Sequence, residues 1–352
     1  MIRPFRYTVQ PARIVFGPGV RSEVANEMGR LGRRRALILA TPFQRPDAER
    51  LAGELGSLSA GLFAEAAMHT PVEVTEAAMA AYGAADADCV VAYGGGSTIG
   101  LGKAIAWRND TAQIVVATTY AGSEVTPILG QTDAGMKTTV RDPKILPEVV
   151  IYDPELTLGL PVGMSVASGL NAMAHAVEGL YARDRDPIST LQAVEGIRAL
   201  KEALPAIVDS PRDLAARTTA LYGSWLCGTV LGTVGMALHH KLCHTLGGSF
   251  DLPHAETHAI MLPHTAAYNE PAAGEALAPV TDLFGGSLGG GLYDFSASLG
   301  APLALRDLGL AEADLDRAAA LAVTDPYWNP RPVERDGIRS LLQRAWEGIR
   351  PA

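Results

Sequence analysis

The pattern of apolar residues changes once along the chain, and this change constrains the fold more than any other feature. In the N-terminal part, short apolar runs typical of strands alternate with segments whose apolar residues recur at helical spacing. The strand-like runs are residues 13–16, 36–40, 89–93, 113–118 and 149–152, and the helical segments between them include 20–31, 46–55 and 74–84. Strands that alternate with helices predict a parallel sheet covered on both faces.

From Asp153 onward the chain is dominated by long Ala- and Leu-rich helical patterns, at residues 166–182, 188–202, 214–231 and 311–322. The length of 352 residues also exceeds the size of about 250–300 residues at which single cores stop growing. The sequence therefore predicts an α/β nucleotide-binding domain with a parallel, Rossmann-like sheet over residues 1–153. An all-helical domain over residues 154–352 should follow, with the ligand site in a cleft between the two.

Composition and charge exclude several classes of protein. The net charge of −9 disfavours a nucleic-acid partner, which needs a basic face, but it leaves room for a small anionic substrate in one basic pocket. The N-terminus lacks a secretory signal, and no stretch approaches the ~20 apolar residues that span a bilayer. We therefore expect a cytoplasmic protein with no membrane partner. Its three cysteines, Cys89, Cys227 and Cys243, should be free thiols.

A glycine-rich turn follows the third of these strands. Gly94, Gly95 and Gly96 precede Ser97 and Thr98, which begin a helical segment. Glycines allow close backbone approach, and free N–H groups at a helix start favour phosphate oxygens, so a nucleotide pyrophosphate would fit here. The spacing is neither that of the three-glycine dinucleotide motif nor that of a P-loop, and glycines needed only for tight packing remain an alternative.

A second loop follows the next strand, where Thr118, Thr119 and Tyr120 lead into Gly122-Ser123-Glu124. Ligands of open α/β sheets bind beyond the carboxyl ends of the strands, and hydroxyl groups there can hold phosphate or polar nicotinamide groups. The alternative is a turn in which Ser123 or Thr126 caps a helix.

The helical part concentrates histidines. Asn171 and His175 are four residues apart and share one helix face, as do His240 and His244, and His254 follows downstream. Convergent imidazoles are the skeleton of a metal site, but Asn171 supplies no charge where a divalent ion would want a carboxylate. An uncharged histidine cluster that can take up protons would instead attract a dicarboxylate.

These segments together resemble the iron-containing alcohol dehydrogenase superfamily, which shares its fold with dehydroquinate synthase and glycerol dehydrogenase. The matching anchors keep the family order over most of the chain, at residues 94–97, 118–124, 153–161, 168–178 and 240–254. In that family an Asp and three His hold the metal. The resemblance places these ligands at Asn171, His175, His240 and His254.

Departures from the family pattern narrow the expectation. Asn171 replaces Asp, Ala255 replaces a glycine, and the loop around Tyr120 is one residue shorter than usual. This loop and residues 327–333 are similar to the metal-free branch that reduces the carbon–carbon double bond of maleylacetate, giving 3-oxoadipate in aromatic degradation. The resemblance implies a homodimer that uses NADH, binds a small dicarboxylate and needs no metal. NADPH remains possible, because Thr41-Pro42-Phe43-Gln44 has neither an acidic residue nor an Arg to select between the two cofactors.

The resemblance also implies roles for single residues. His244 matches the histidine that is not a ligand, and we expect it to be the general acid. The predicted pocket is lined by His175, His240 and His254, with Asn171 and Tyr120 as hydrogen-bonding groups. Lys137 is expected to contact the cofactor.

The other histidines, His69, His239, His258 and His264, have no family role and are predicted to be structural. Two other functions stay open. One is a metal-dependent alcohol or polyol dehydrogenase that keeps Fe or Zn. The other is a cyclase or lyase of the dehydroquinate synthase type, which recycles bound NAD.

Overall fold

The computed structural model describes Phe5, Tyr7, residues 12–133 and residues 136–352, except for the side chains of Met136 and Lys137. The chain divides into two compact units between Leu160 and Pro161. The predicted boundary at residue 153 falls directly after the last strand of the first unit. Asp153 itself accepts hydrogen bonds from the backbone N–H groups of Gly19 and Arg21, at 3.1 Å each, and so belongs to that unit.

The first unit is built on the predicted parallel sheet. Its elements are β1 (Arg13–Phe16), α1 (Val24–Arg30), β2 (Ala36–Leu39), α2 (Arg45–Leu55), β3 (Ser59–Phe63), α3 (Val72–Ala84), β4 (Cys89–Gly94), α4 (Gly96–Asn109), β5 (Ala112–Ala117), β6 (Ile128–Asp133), β7 (Met136–Arg141) and β8 (Val149–Tyr152). Six parallel strands follow the order β1-β8-β5-β4-β2-β3, and β6 pairs with β7 as a separate antiparallel ribbon.

Both faces of this sheet are covered, as the apolar runs predict. Every residue of β4 and β5 is buried. Val91 belongs to the cluster on one face of β4, whereas Val90 belongs to the cluster on the other, because successive side chains of a strand alternate.

The second unit is helical throughout its regular structure. Its α-helices are α5 (Val162–Tyr181), α6 (Pro187–Asp209), α7 (Leu214–Thr233), α8 (Leu238–Phe250), α9 (His254–Thr281), α10 (Leu288–Ser298), α11 (Leu315–Val323) and α12 (Arg335–Glu347). Asp186 and Asp213 cap α6 and α7 by accepting backbone N–H groups of their first turns. Helix α5 packs against α6, α7 and α9, and it is therefore almost completely buried from Ser165 onward.

No single described helix is long and apolar enough to cross a membrane. Helices α7 and α8 together have the length and composition of a span, but they are bent by 95°. Cys89, Cys227 and Cys243 are free and buried, as predicted.

Candidate functional site

The glycine loop lies at the carboxyl end of the central strands of the first unit. Gly94 ends β4 and Gly96 begins α4, while Thr118 follows β5 directly. The backbone N–H of Thr118 donates to the carbonyl oxygen of Gly94 at 3.1 Å, so the two predicted loops are neighbours.

Close packing explains two of the glycines. A Cβ on Gly95 would lie 2.7 Å from the Cγ2 atom of Thr119, and one on Gly94 would lie 2.5 Å from Gln44 Oε1. Gln44 in turn donates from Nε2 to Thr118 Oγ1 at 2.8 Å. Tight packing therefore leaves no room for a side chain at Gly94 or Gly95.

The start of α4 remains suited to a phosphate. Gly96 is exposed, a Cβ on it would meet nothing within 4 Å, and Ser97 beside it is half-buried. The N–H groups of this first turn carry the positive end of the helix dipole. Pyrophosphate binding by residues 94–98 stays a prediction that this geometry supports.

A buried polar cluster that the sequence did not single out supports the second loop. The ammonium group of Lys103 donates to the Ser123 carbonyl oxygen, and to Thr126 Oγ1 and the Ile128 carbonyl oxygen at 2.9 Å each. Burial lowers the pKa of Lys103 to about 7. Beside it, Glu124 is fully buried and accepts the Tyr152 hydroxyl at 2.7 Å, and burial raises the pKa of Glu124.

The two remaining predicted residues of this unit are Tyr120 and Lys137. Tyr120 is fully buried in the loop after β5. Lys137 lies in β7 opposite Thr132, and its side chain is outside the described residues.

In the second unit, α5, α8 and α9 bring the predicted histidines together. His175 Nδ1 and His240 Nε2 are 2.9 Å apart, and the ring centres of His240 and His244 are 6.0 Å apart. His254, at the start of α9, lies against His258, with ring centres 4.3 Å apart. Asn171, His175 and His240 are buried, whereas His244 and His254 are half-buried.

Glu178 is the residue of this site that the sequence analysis missed. Its buried carboxylate accepts the backbone N–H groups of Ala237 (2.9 Å) and His239 (2.7 Å), and it pairs with His240 Nδ1 at 2.6 Å. Burial would raise the pKa of Glu178, but the hydrogen bonds that it accepts, above all the one from His240, help to hold the pKa below its ordinary value. Glu178 is therefore an anion that caps α8 and fixes a hydrogen on His240 Nδ1.

His239 and His258, which were predicted to be structural, are part of the same cluster. Their atoms Nε2 and Nδ1 are 2.9 Å apart, and the rings of His258 and His240 are 5.2 Å apart. Burial lowers the pKa of His239 to about 3 and that of His258 well below its ordinary value, so both are neutral imidazoles. The sequence could have indicated His258, because it lies four residues after His254 and therefore shares a helix face with it.

The C-terminal motif reaches this cluster through Tyr327. The Tyr327 hydroxyl lies 3.2 Å from His244 Nδ1, so it fixes the orientation of the predicted general acid. Burial raises the pKa of Tyr327, which keeps its hydroxyl protonated. Arg331 lies over the ring of Tyr268 at 4.1 Å and donates to the carbonyl oxygen of that residue.

The ligand set that the resemblance implies, Asn171, His175, His240 and His254, fits a divalent metal poorly. Each of these four side chains is an amide or an imidazole, so none supplies a fixed negative charge. In addition, His175 Nδ1 and His240 Nε2 are hydrogen-bonded to each other, and these two atoms would have to move apart for an ion to bind between them. A second group, His239, Cys243 and His258, has ligand atoms within 4.8 Å of one another, but its two histidines are likewise hydrogen-bonded to each other.

Comparisons with known proteins agree with this architecture. Residues 11–154 match the family model described as iron-containing alcohol dehydrogenase, and residues 165–346 match that of the Fe-containing alcohol dehydrogenase family, C-terminal. A maleylacetate reductase of Rhizobium sp. (strain MTP-10005) is 67% identical over 350 residues, covering 99% of this chain and 100% of the relative. One from Burkholderia cepacia is 52% identical, covering 99% of both chains. The crystal structure of maleylacetate reductase from Agrobacterium tumefaciens is 66% identical, with a TM-score of 0.97 and coverage of 99% of this chain and 100% of that one.

Proposed function

Because the chain belongs to the iron-containing alcohol dehydrogenase family, we propose that it reduces the carbon–carbon double bond of maleylacetate with NADH and needs no metal to do so. The protein is an oxidoreductase of that family, and the product of the proposed reaction is 3-oxoadipate. The observation that carries the proposal is the set of side chains at the four family ligand positions on α5, α8 and α9, where Asn171 stands in the place of the ligand carboxylate.

The cluster supports a dianionic substrate because the carboxylate that contacts it, Glu178, is already engaged. Glu178 accepts three backbone N–H groups and His240 Nδ1, so its charge is offset before it can repel a substrate carboxylate. Half-buried His244 and His254 offer N–H groups that can donate to an anion.

NADH supplies the hydride when bound. Addition to a double bond conjugated with a ketone leaves an enolate, which needs hydrogen-bond donors and then a proton at carbon. His244 is the proposed proton donor, held by Tyr327, and His175, His240, His254 and Asn171 are the proposed binding groups.

For the cofactor, the proposed preference is NADH with some use of NADPH. The turn after β2 presents Phe43 and Gln44, and Gln44 is bonded to Thr118. Residues 41–44 include no acidic residue that could bind a ribose 2′-hydroxyl and no basic residue that could bind a 2′-phosphate. We further propose that the protein is a homodimer, as the family resemblance implies. We also propose that it works in the cytoplasm, where thiols such as its three buried cysteines stay reduced.

The test is NADH oxidation by protein that has been treated with EDTA and dialysed. We expect turnover of maleylacetate at the rate of untreated protein, no oxidation of simple alcohols with NAD, and a higher kcat/KM with NADH than with NADPH. Activity that disappears with EDTA and returns with one equivalent of Fe or Zn would instead support the metal-dependent alcohol dehydrogenase. Product formation without net NADH consumption would support the cyclase.

A further inference from the structure

The segment that carries Tyr327 has no regular secondary structure. It covers residues 324–334, between the end of α11 at Val323 and the start of α12 at Arg335. Most of its residues are exposed, whereas Tyr327 is half-buried beside His244. An irregular segment lacks the repeating backbone hydrogen bonds of a helix. The position of the Tyr327 hydroxyl therefore depends on the side chains that attach this segment to the helices.

One attachment is a pair of asparagine side chains, Asn329 on the segment and Asn269 in α9. Their amide groups donate to each other, from Asn329 Nδ2 to Asn269 Oδ1 at 2.7 Å and from Asn269 Nδ2 to Asn329 Oδ1 at 3.0 Å. Asn269 is completely buried and Asn329 is half-buried. Because each amide is both donor and acceptor, the pair holds the two groups in one relative orientation.

The other amide hydrogens of the pair are also used. Asn329 Nδ2 donates to the Arg331 carbonyl oxygen at 2.7 Å, and Asn269 Nδ2 donates to the Tyr181 hydroxyl at 3.1 Å. Asn329 Oδ1 also accepts the backbone N–H of Leu238, the first residue of α8, at 3.4 Å. The Asn329 amide therefore joins the segment to both α8 and α9. Polar networks with all their hydrogens satisfied specify a single arrangement.

This network fixes Tyr327 relative to His244. Leu238 and His244 belong to the same helix, α8, and Tyr327 is two residues before Asn329. Two residues span at most about 7 Å, so fixing Asn329 against the start of α8 restricts where the Tyr327 ring can lie. In the structure the Tyr327 hydroxyl lies 3.2 Å from His244 Nδ1.

Two other attachments of the segment are exposed to solvent. Lys241 Nζ donates to the Thr324 carbonyl oxygen at 2.9 Å, and Arg331 donates to the Tyr268 carbonyl oxygen at 3.0 Å. Exposed hydrogen bonds compete with water and contribute little to holding one geometry. The amide pair, with one member completely buried, is therefore the more specific anchor.

We propose that Asn329 is a positioning residue: paired with Asn269, it holds the Tyr327 hydroxyl against His244 Nδ1 and so orients the imidazole for proton transfer. This inference rests on the proposed function in one respect, the assignment of His244 as the proton donor. Neither asparagine contacts the substrate in this role. Their contribution should therefore appear in kcat and not in the KM for NADH.

The experiment measures NADH oxidation with maleylacetate by Asn329→Ala, Tyr327→Phe and the double variant. Asn329→Ala should lower kcat at least about fivefold, but by less than the roughly 10²–10⁴-fold expected for loss of the proton donor itself. Its KM for NADH should stay within about twofold of wild type. In the Tyr327→Phe background, Asn329→Ala should lower kcat less than about twofold, because no hydroxyl is left to position. A merely structural role would give the same loss in both backgrounds.

The matched control is Asp213→Ala. Asp213 caps α7 by accepting the backbone N–H groups of Ala215 and Ala216, so its loss destabilises the same unit without touching the segment. This variant should keep kcat within about twofold of wild type. If Asn329→Ala does not fold, Asn329→Asp tests the same pair. It keeps the acceptor oxygen and removes both donor hydrogens, and it should show the same dependence on the Tyr327 hydroxyl.

A second measurement does not depend on turnover. In protein labelled with ¹⁵N-histidine and studied at one pH, the His244 Nδ1 resonance is assigned with His244→Gln. Asn329→Ala and Tyr327→Phe should shift this resonance in the same direction, and Asp213→Ala should leave it unchanged. An unshifted resonance in Asn329→Ala would overturn the proposal, as would equal losses of kcat in the two backgrounds. A protein that does not reduce maleylacetate would contradict the proposed function and leave the resonance test intact.

Discussion

Replacing Glu178 by Gln should destabilise the second unit more than any charge-removing change on its surface. The carboxylate is 1% exposed and accepts the Ala237 and His239 N–H groups and His240 Nδ1. A glutamine of the same shape retains one acceptor oxygen and turns an NH₂ group toward hydrogen-bond donors. The start of α8 then loses its cap, and His240 loses the partner that orients its ring.

The magnitude follows from the hydrogen bonds lost. Bonds to charged groups contribute about 1.5–3 kcal/mol each, and an unpaired buried partner adds its own desolvation cost. For Glu178→Gln we therefore expect a loss of about 3–5 kcal/mol in the free energy of unfolding, similar to breaking a buried ion pair. This is a large part of a typical stability of about 5–15 kcal/mol.

The difference in the free energy of unfolding between wild type and Glu178→Gln should decrease as the pH falls. The folded-state pKa of Glu178 is lowered, so its contribution is complete above the unfolded-state pKa and is lost as the pH falls through the folded-state value. Urea unfolding followed by circular dichroism at neutral pH and at several acidic pH values measures this. The gap between wild type and Glu178→Gln should be constant near neutrality and should narrow in acid.

Glu195→Gln is the control. Glu195 pairs with Arg198 at 2.8 Å on the exposed side of α6, and such surface pairs contribute about 0–1 kcal/mol. If Glu178→Gln cost no more than Glu195→Gln at neutral pH, the assignment of an ionised, capping Glu178 would be wrong.

Three further outcomes test the remaining assignments. Gly95→Val should raise the Kd of NADH at least about tenfold, since even its Cβ would lie 2.7 Å from Thr119, whereas Gly83→Ala in α3, outside the loop and with open space around the added Cβ, should bind NADH normally in a fluorescence titration. His244→Ala should lower kcat by roughly 10²–10⁴-fold with NADH binding intact, and a loss confined to KM would assign the proton transfer to another group. Because burial lowers the pKa of Lys103 to about 7, wild type should gain stability as the pH rises above 7, and Lys103→Met should lack this gain in urea unfolding; equal pH profiles would refute it.

Much of the fold follows from the sequence, because buried parallel strands appear as continuous apolar runs. All five predicted strands are present, and β1 and β8 have the predicted bounds. The strand β3 was missed because Ser59-Ala60-Gly61-Leu62-Phe63 lies at the edge of the sheet and is mostly half-buried, so only part of it needs to be apolar. The ribbon of β6 and β7 was missed because both strands contain few apolar residues, so neither forms a continuous apolar run.

The site was less predictable because its contacts cross between helices far apart in the chain. Spacing along one helix identified Asn171 with His175 and His240 with His244, but no spacing indicates that Glu178 meets residues 237–240. The partner of His239 is likewise on another helix, at His258. Single-helix patterns show which side chains share a face, and only tertiary packing shows what that face meets.

The position of negative charge distinguishes this cluster from a site with a carboxylate ligand. Asn171 puts a neutral amide on α5 at the position where the family has a ligand carboxylate. Glu178, on the same helix, carries a negative charge and is hydrogen-bonded to His240 Nδ1. There the charge fixes a tautomer and caps α8, and the hydrogen bonds that the carboxylate accepts offset it. A dianion at the half-buried His244 and His254 would therefore meet imidazole N–H groups while the charge of Glu178 is already offset. Asn171→Asp adds a negative charge to α5 one helical turn before His175, so it should raise the KM for a dicarboxylate even in metal-free protein. An unchanged KM would show that the substrate does not lie near position 171.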